Sequence, residues 1–74
     1  MFEKIVEIIS IQLKTEEGTI SPQTNIMEDL KADSLDVVEL LMAIEEEFGV
    51  TVPDEDISDL KTVQNIVDYV ESHQ

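Results

Sequence analysis

The sequence predicts an all-α fold: a small four-helix bundle, three principal helices plus one short helix, with a long loop between helices 1 and 2. Three observations carry that expectation. Apolar residues recur at helical spacing in three stretches, glycine and proline fall between those stretches, and 74 residues leave room for a single domain, 1–74. At about 100° per residue, Phe2, Ile5, Val6, Ile8, Ile9 and Leu13 share one arc, and Glu3, Lys4, Glu7 and Ser10 lie outside it. This first helix ends near Thr15, because Glu16, Glu17 and Gly18 follow and Ser21-Pro22 disfavours helical geometry. A loop then runs to Asp33. Loops that long are uncommon in small domains and usually functional, and Ile20, Ile26 and Leu30 are spaced to anchor this one.

From Ser34 to Phe48 nothing breaks a helix, Gly49 supplies the stop, and Asp33 or Ser34 caps the start. After Pro53 the acidic segment from Asp54 to Asp59 is long enough for about one helical turn. Thr62 caps a last helix in which Val63, Ile66, Val67 and Val70 share a face.

Charge narrows the function. Four lysines, no arginine and 18 carboxylates give a net charge of −14. Phosphate backbones are bound by Lys and Arg displacing counterions, so nucleic acid is excluded as a partner, and so is an anionic membrane surface. Basic proteins are favoured. With no cysteine there is no disulfide framework and no thiolate nucleophile in the chain itself. Met1 to Leu13 has neither a basic n-region nor transit-peptide character, and no apolar run reaches membrane-spanning length; a cytoplasmic protein without membrane insertion is expected. Self-repulsion favours a monomer. The size scaling gives a folded surface of about 4,600 Å², too small a body for a large enclosed active site.

The second helix is the informative one. Val37, Leu40, Leu41, Ile44 and Phe48 form a core stripe, while Leu35, Val38 and Met42 form a second, narrow apolar stripe bordered by Glu39, Glu45 and Glu46. Ser34 stands at its head. Such a stripe is either a docking strip, with apolar anchors and a steering acidic rim, or a wide core stripe that the loop covers; a helical period does not choose. A serine opening a helix is ordinarily a cap, yet the free N–H groups and dipole there also favour a phosphate.

The run Asp29-Leu30-Lys31-Ala32-Asp33-Ser34-Leu35-Asp36, continuing through Val38-Glu39-Leu40-Leu41-Met42-Ala43-Ile44-Glu45-Glu46-Glu47-Phe48, resembles the phosphopantetheine attachment region of acyl carrier proteins. The hallmark is Asp-Ser-Leu at the head of the second of four helices. Ile20-Ser21-Pro22, Val52-Pro53-Asp54, Thr62-Val63-Gln64 and Asp68-Tyr69-Val70 fit as well, so the resemblance covers essentially the whole chain. Lys31 departs from it, standing where the family usually has glycine.

The resemblance implies a carrier and not an enzyme. Ser34 would receive 4′-phosphopantetheine from coenzyme A through a phosphopantetheinyl transferase. Growing fatty acyl chains would ride on the arm as thioesters and be presented to the fatty acid synthesis enzymes. Asp33, Leu35, Asp36, Val38, Glu39, Met42, Glu45 and Glu46 would meet basic patches on those partners. Leu41, Ile44, Val52, Leu60 and Tyr69 would shelter the acyl chain, or simply form core.

Other classes fit less well. A lone His73, second from the end, is a poor general base. The stretch from Asp54 to Asp59 fails the EF-hand pattern, since Asp59 occupies the glycine position, so no metal site is expected. Aminoacyl or peptidyl carriers usually have Gly-x-Ser, against Ala32-Asp33-Ser34 here. A specialised aminoacyl or polyketide carrier, or an acidic adaptor that needs no prosthetic group, are the remaining alternatives.

Overall fold

The computed structural model describes residues 1–73. Helix α1 spans Phe2–Leu13, α2 Ser34–Phe48, α3 Asp54–Ile57 and α4 Val63–His73, and the surface measures 4590 Å². Ile5, Val6 and Ile9 of α1, Val37, Leu40, Leu41 and Ile44 of α2, and Val63, Ile66, Val67 and Val70 of α4 enclose one core. Phe2, Ile8, Leu13 and Phe48, expected on the same faces, are partly buried against it.

The long loop is ordered by its own polar groups. Asn25 Oδ1 accepts from the N–H groups of Met27 (3.0 Å) and Glu28 (2.9 Å), and Asp29 Oδ2 accepts from Asn25 N–H (2.7 Å). Buried Thr24 offers its Oγ1 to Ser21 N–H at 2.8 Å. Four backbone bonds in all then tie the loop to the chain around the start of α4 and to its own end: Ile26 N–H to the Lys61 carbonyl, Val63 N–H to Thr24, Gln64 N–H to Pro22, and Ala32 N–H to Ile26. Ile20 and Ile26 are buried and Leu30 half-buried, as their spacing predicts. The loop also contains a 3₁₀ turn at Glu17–Thr19, which the sequence reading left irregular.

Two helix ends are closed as the sequence specifies. Gly49 ends α2 at φ 69°, and Thr62 starts α4 by accepting from Asn65 N–H at 3.1 Å. Lys14 ends α1 at φ 55°, and Lys31 in the loop has φ 57°. Those are the only non-glycine residues with positive φ among the described residues. An L residue pays roughly 1–2 kcal/mol in the left-handed region. That cost explains why glycine is common at the Lys31 position in the family the sequence resembles.

Helix α3 has no buried residue and leans on Tyr69 of α4. The Tyr69 hydroxyl donates to Asp56 Oδ2 at 3.0 Å and lies 3.2 Å from the Thr51 carbonyl. Partial burial of the ring first, and the Asp56 carboxylate second, raise the Tyr69 pKa above its ordinary value near 10. The folded state thus favours the protonated phenol. Its contribution to stability is complete below pH 10 and fades as pH rises through the raised value. Tyr69→Phe is expected to lower the melting temperature modestly at pH 7 and to flatten its fall above pH 10; equal alkaline slopes in the two proteins would contradict the bond.

Ion pairing is sparse. Among the described residues only Lys4 is paired, with Glu47 of α2 at 2.8 Å and Glu7 at 3.7 Å. The remaining negative charge repels itself, which weakens the compact state until counterions screen it. Added sodium or magnesium chloride is therefore expected to raise the melting temperature by about 5 °C or more; an unchanged melt across the titration would refute this.

Candidate functional site

Helix α2 is opened by two carboxylates. Asp36 N–H donates to Asp33 Oδ1 at 2.9 Å, and Asp33 N–H donates to Asp36 Oδ2 at 3.3 Å. This reciprocal capping box leaves the Ser34 hydroxyl with no capping task. Ser34 is exposed, and its side chain makes no hydrogen bond among the described residues. Of the two caps that the sequence allows, the structure selects Asp33. The serine is left as a free nucleophile or group acceptor at a helix start, where the dipole favours an added phosphate.

The second apolar stripe of α2 faces solvent. Leu35 is 65% exposed, Met42 56% and Val38 37%, so the loop does not cover them. Asp33, Glu39 and Glu46 beside them are exposed, and Asp36 is half-buried in the cap. Glu45 differs, being half-buried with its Oε2 accepting from Val52 N–H at 2.6 Å. That bond fastens the segment after Gly49 to α2, a role that a helical wheel does not reveal.

Beside Ser34 opens a cleft of about 910 Å³ between α2, α3 and the loop. Ser34 lies on its rim, and Val37, Val38, Ile57, Leu60 and Met27 give it an apolar lining. The volume is in the range of small-molecule sites. Of the five residues that the resemblance offers as lining, only Leu60 lines this cleft. Leu41, Ile44 and Val52 are sealed in the core, and Tyr69 is spent on Asp56. Met27 and Ile57 were missed, because one lies in an irregular loop and the other in a helix too short to show a period.

The single histidine offers no base for Ser34. His73 is exposed on the last turn of α4, its ring stacked on Tyr69 at 3.9 Å and its Nδ1 2.8 Å from the Tyr69 carbonyl. No cluster of three or more metal-ligating side chains occurs among the described residues. None of the described helices is long and apolar enough to cross a membrane.

A serine hydroxyl free of capping duty at a helix start, beside an apolar cleft and an exposed acidic strip, is suited to carrying a covalently attached group. Comparison with known proteins specifies which kind. Residues 3–70 match the family described as the phosphopantetheine attachment site. The acyl carrier protein of Syntrophobacter fumaroxidans is 54% identical over 67 residues, covering 90% of this chain and 83% of that protein. That of Thermosynechococcus vestitus is 49% identical over 70 residues, covering 95% and 86%. A solved structure of the acyl carrier protein from Enterococcus faecalis superimposes with a TM-score of 0.84 at 38% identity, over 99% of this chain and 92% of that one. The chain belongs to the phosphopantetheine-attachment family and, within it, to the acyl carrier proteins. It is a carrier whose prosthetic group is 4′-phosphopantetheine, not an enzyme.

Proposed function

We propose that Ser34 Oγ is the attachment atom for 4′-phosphopantetheine, and that the chain carries growing fatty acyl groups for fatty acid synthesis as a cytoplasmic monomer of one domain, 1–74. The observation that carries this reading is the Ser34 hydroxyl, exposed and free of capping duty on the rim of an apolar cleft. When bound, the prosthetic group supplies the thiol that this cysteine-free chain lacks. The protein holds the arm at one place, offers the cleft to an apolar cargo, and presents itself to each enzyme in turn.

Presentation falls to α2. Leu35, Val38 and Met42 give desolvated contact, while Asp33, Asp36, Glu39 and Glu46 steer basic patches on the phosphopantetheinyl transferase and the fatty acid synthesis enzymes. Glu45 adds its charge through the oxygen that Val52 leaves free. Steering by rim charges raises association rates without tight binding, which suits a carrier that must leave each partner quickly.

Intact mass tests the reading. Incubation with coenzyme A, magnesium and a broad-specificity transferase is expected to add about 340 Da, one phosphopantetheinyl group. No gain, under conditions that modify a known carrier, would leave an acidic adaptor as the better description.

A further inference from the structure

Two of the chain's four lysines, Lys14 and Lys31, line one recess of about 300 Å³ with Gln12, Leu30, Ala32 and Asp36. They come from separate elements, the end of α1 and the loop before α2. They are also the two non-glycine residues held at positive φ among the described residues. In a chain with 18 carboxylates, neither lysine has a carboxylate within 4.0 Å among the described residues. The recess thus gathers two exposed lysines without an ion-pair partner on a molecule that is otherwise an acid, with Asp36 as its one carboxylate.

Its location gives it a partner. Lys31 is three residues before Ser34, and Asp36, on the wall of the recess, is two residues after it. Gln12 lines both this recess and the neighbouring groove formed with Glu39, Met42, Ala43 and Glu46. The lysine recess therefore adjoins the acidic docking strip at Gln12. Enzymes that work on the far end of the arm act at a distance from this spot, but the transferase must bring its reacting atoms to Ser34 Oγ itself.

Resting on the reading of Ser34 as the attachment site, we propose that Lys14 and Lys31 form a basic docking recess for a carboxylate side chain on the phosphopantetheinyl transferase. The interface is then bipolar: basic groups of the transferase meet Asp33, Asp36, Glu39 and Glu46, and an acidic group beside them enters the recess at its lysine side, away from the Asp36 wall. Such an inversion fixes register, since a uniformly basic surface would place a cation against Lys14 and Lys31.

Steady-state transfer with the transferase from the source organism tests this, following mass gain at varied carrier and coenzyme A. The double variant Lys14→Gly/Lys31→Gly carries −16 instead of −14 (−14 − 2), so general attraction to a basic partner predicts a lower KM for the carrier. The recess predicts the opposite: KM for the carrier rises about threefold per lysine, near tenfold for the pair, in keeping with exposed ion pairs, at unchanged kcat. Glycine relieves the left-handed backbone, so the melting temperature holds or rises and unfolding is excluded as the cause. Lys14→Arg/Lys31→Arg keeps the charges and stays near the wild-type KM, whereas Lys4→Gln, remote from the recess, does not raise it. An unchanged or lower carrier KM in the glycine double variant overturns the proposal. So does a rise confined to the KM for coenzyme A, which would assign the lysines to the coenzyme's phosphates. Absence of any mass gain in the wild-type chain is a separate result, and it strikes the attachment reading instead.

Discussion

Ser34→Ala is expected to abolish the gain of about 340 Da while leaving the melting temperature at or slightly above that of the wild type. Loss of the gain is complete, not partial, because the phosphodiester needs a hydroxyl oxygen at that position. Retention of the fold follows from the cap. Asp33 and Asp36 satisfy each other's N–H groups at 2.9 and 3.3 Å, so no bond depends on the serine. Ser34 is exposed, so no cavity forms, and alanine is the better helix former by a few tenths of a kcal/mol. Function and stability therefore separate at one atom. By contrast, Asp33→Ala removes the cap and is expected to cost about 1 kcal/mol. A gain of the same mass persisting in Ser34→Ala would move the attachment to another hydroxyl and end the present assignment.

Leu40→Ala is the matching experiment on the fold. Leu40 is 0% exposed at the centre of the α2 core stripe. Its truncation removes buried methyl groups and leaves a cavity, at a cost of about 2–5 kcal/mol. A chain of this length has roughly 4–11 kcal/mol in total, so the variant loses a large share of its stability. At about 4–8 °C per kcal/mol for so small a domain, the melting temperature falls by at least about 10 °C. Thermal unfolding followed by circular dichroism reads this directly. A shift of only a degree or two would mean that α2 is not packed as described. Residual folded protein should still accept the mass gain, because Ser34 and its cap are exposed at the start of α2, more than a turn away from Leu40.

How far the sequence announced these features depends on the kind of force that sets each one. The boundaries of α1 and α2 were legible because apolar spacing, Gly49 and the Asp33 to Asp36 pair act within a turn or two of chain. Ser34 was legible as a site through its run of neighbours, although position alone offered either a cap or an acceptor. Exposure of Leu35, Val38 and Met42 was not legible from their period, since the covering loop folds on its own hydrogen bonds toward the start of α4. The lining of the cleft stayed open between two roles for the same reason: apolar residues suited to lining a cavity equally suit filling a core, and Leu41, Ile44 and Val52 take the second role. Lys14 escaped notice altogether. Its place on one recess with Lys31 requires the end of α1 and the loop to converge, which residues far apart in the chain do not announce.

The chain walls its cleft with its shortest helix. One helical turn cannot sustain itself in water, and α3, four residues with none fully buried, draws its order from the packing of Ile57 against the core, the Tyr69 hydroxyl and the turn bonds around Leu60. An element whose order is supplied from outside yields at little cost. The width of the cleft is then set by an element that moves separately from the core: displacing one turn of chain, at the loss of the Tyr69–Asp56 bond, would widen it.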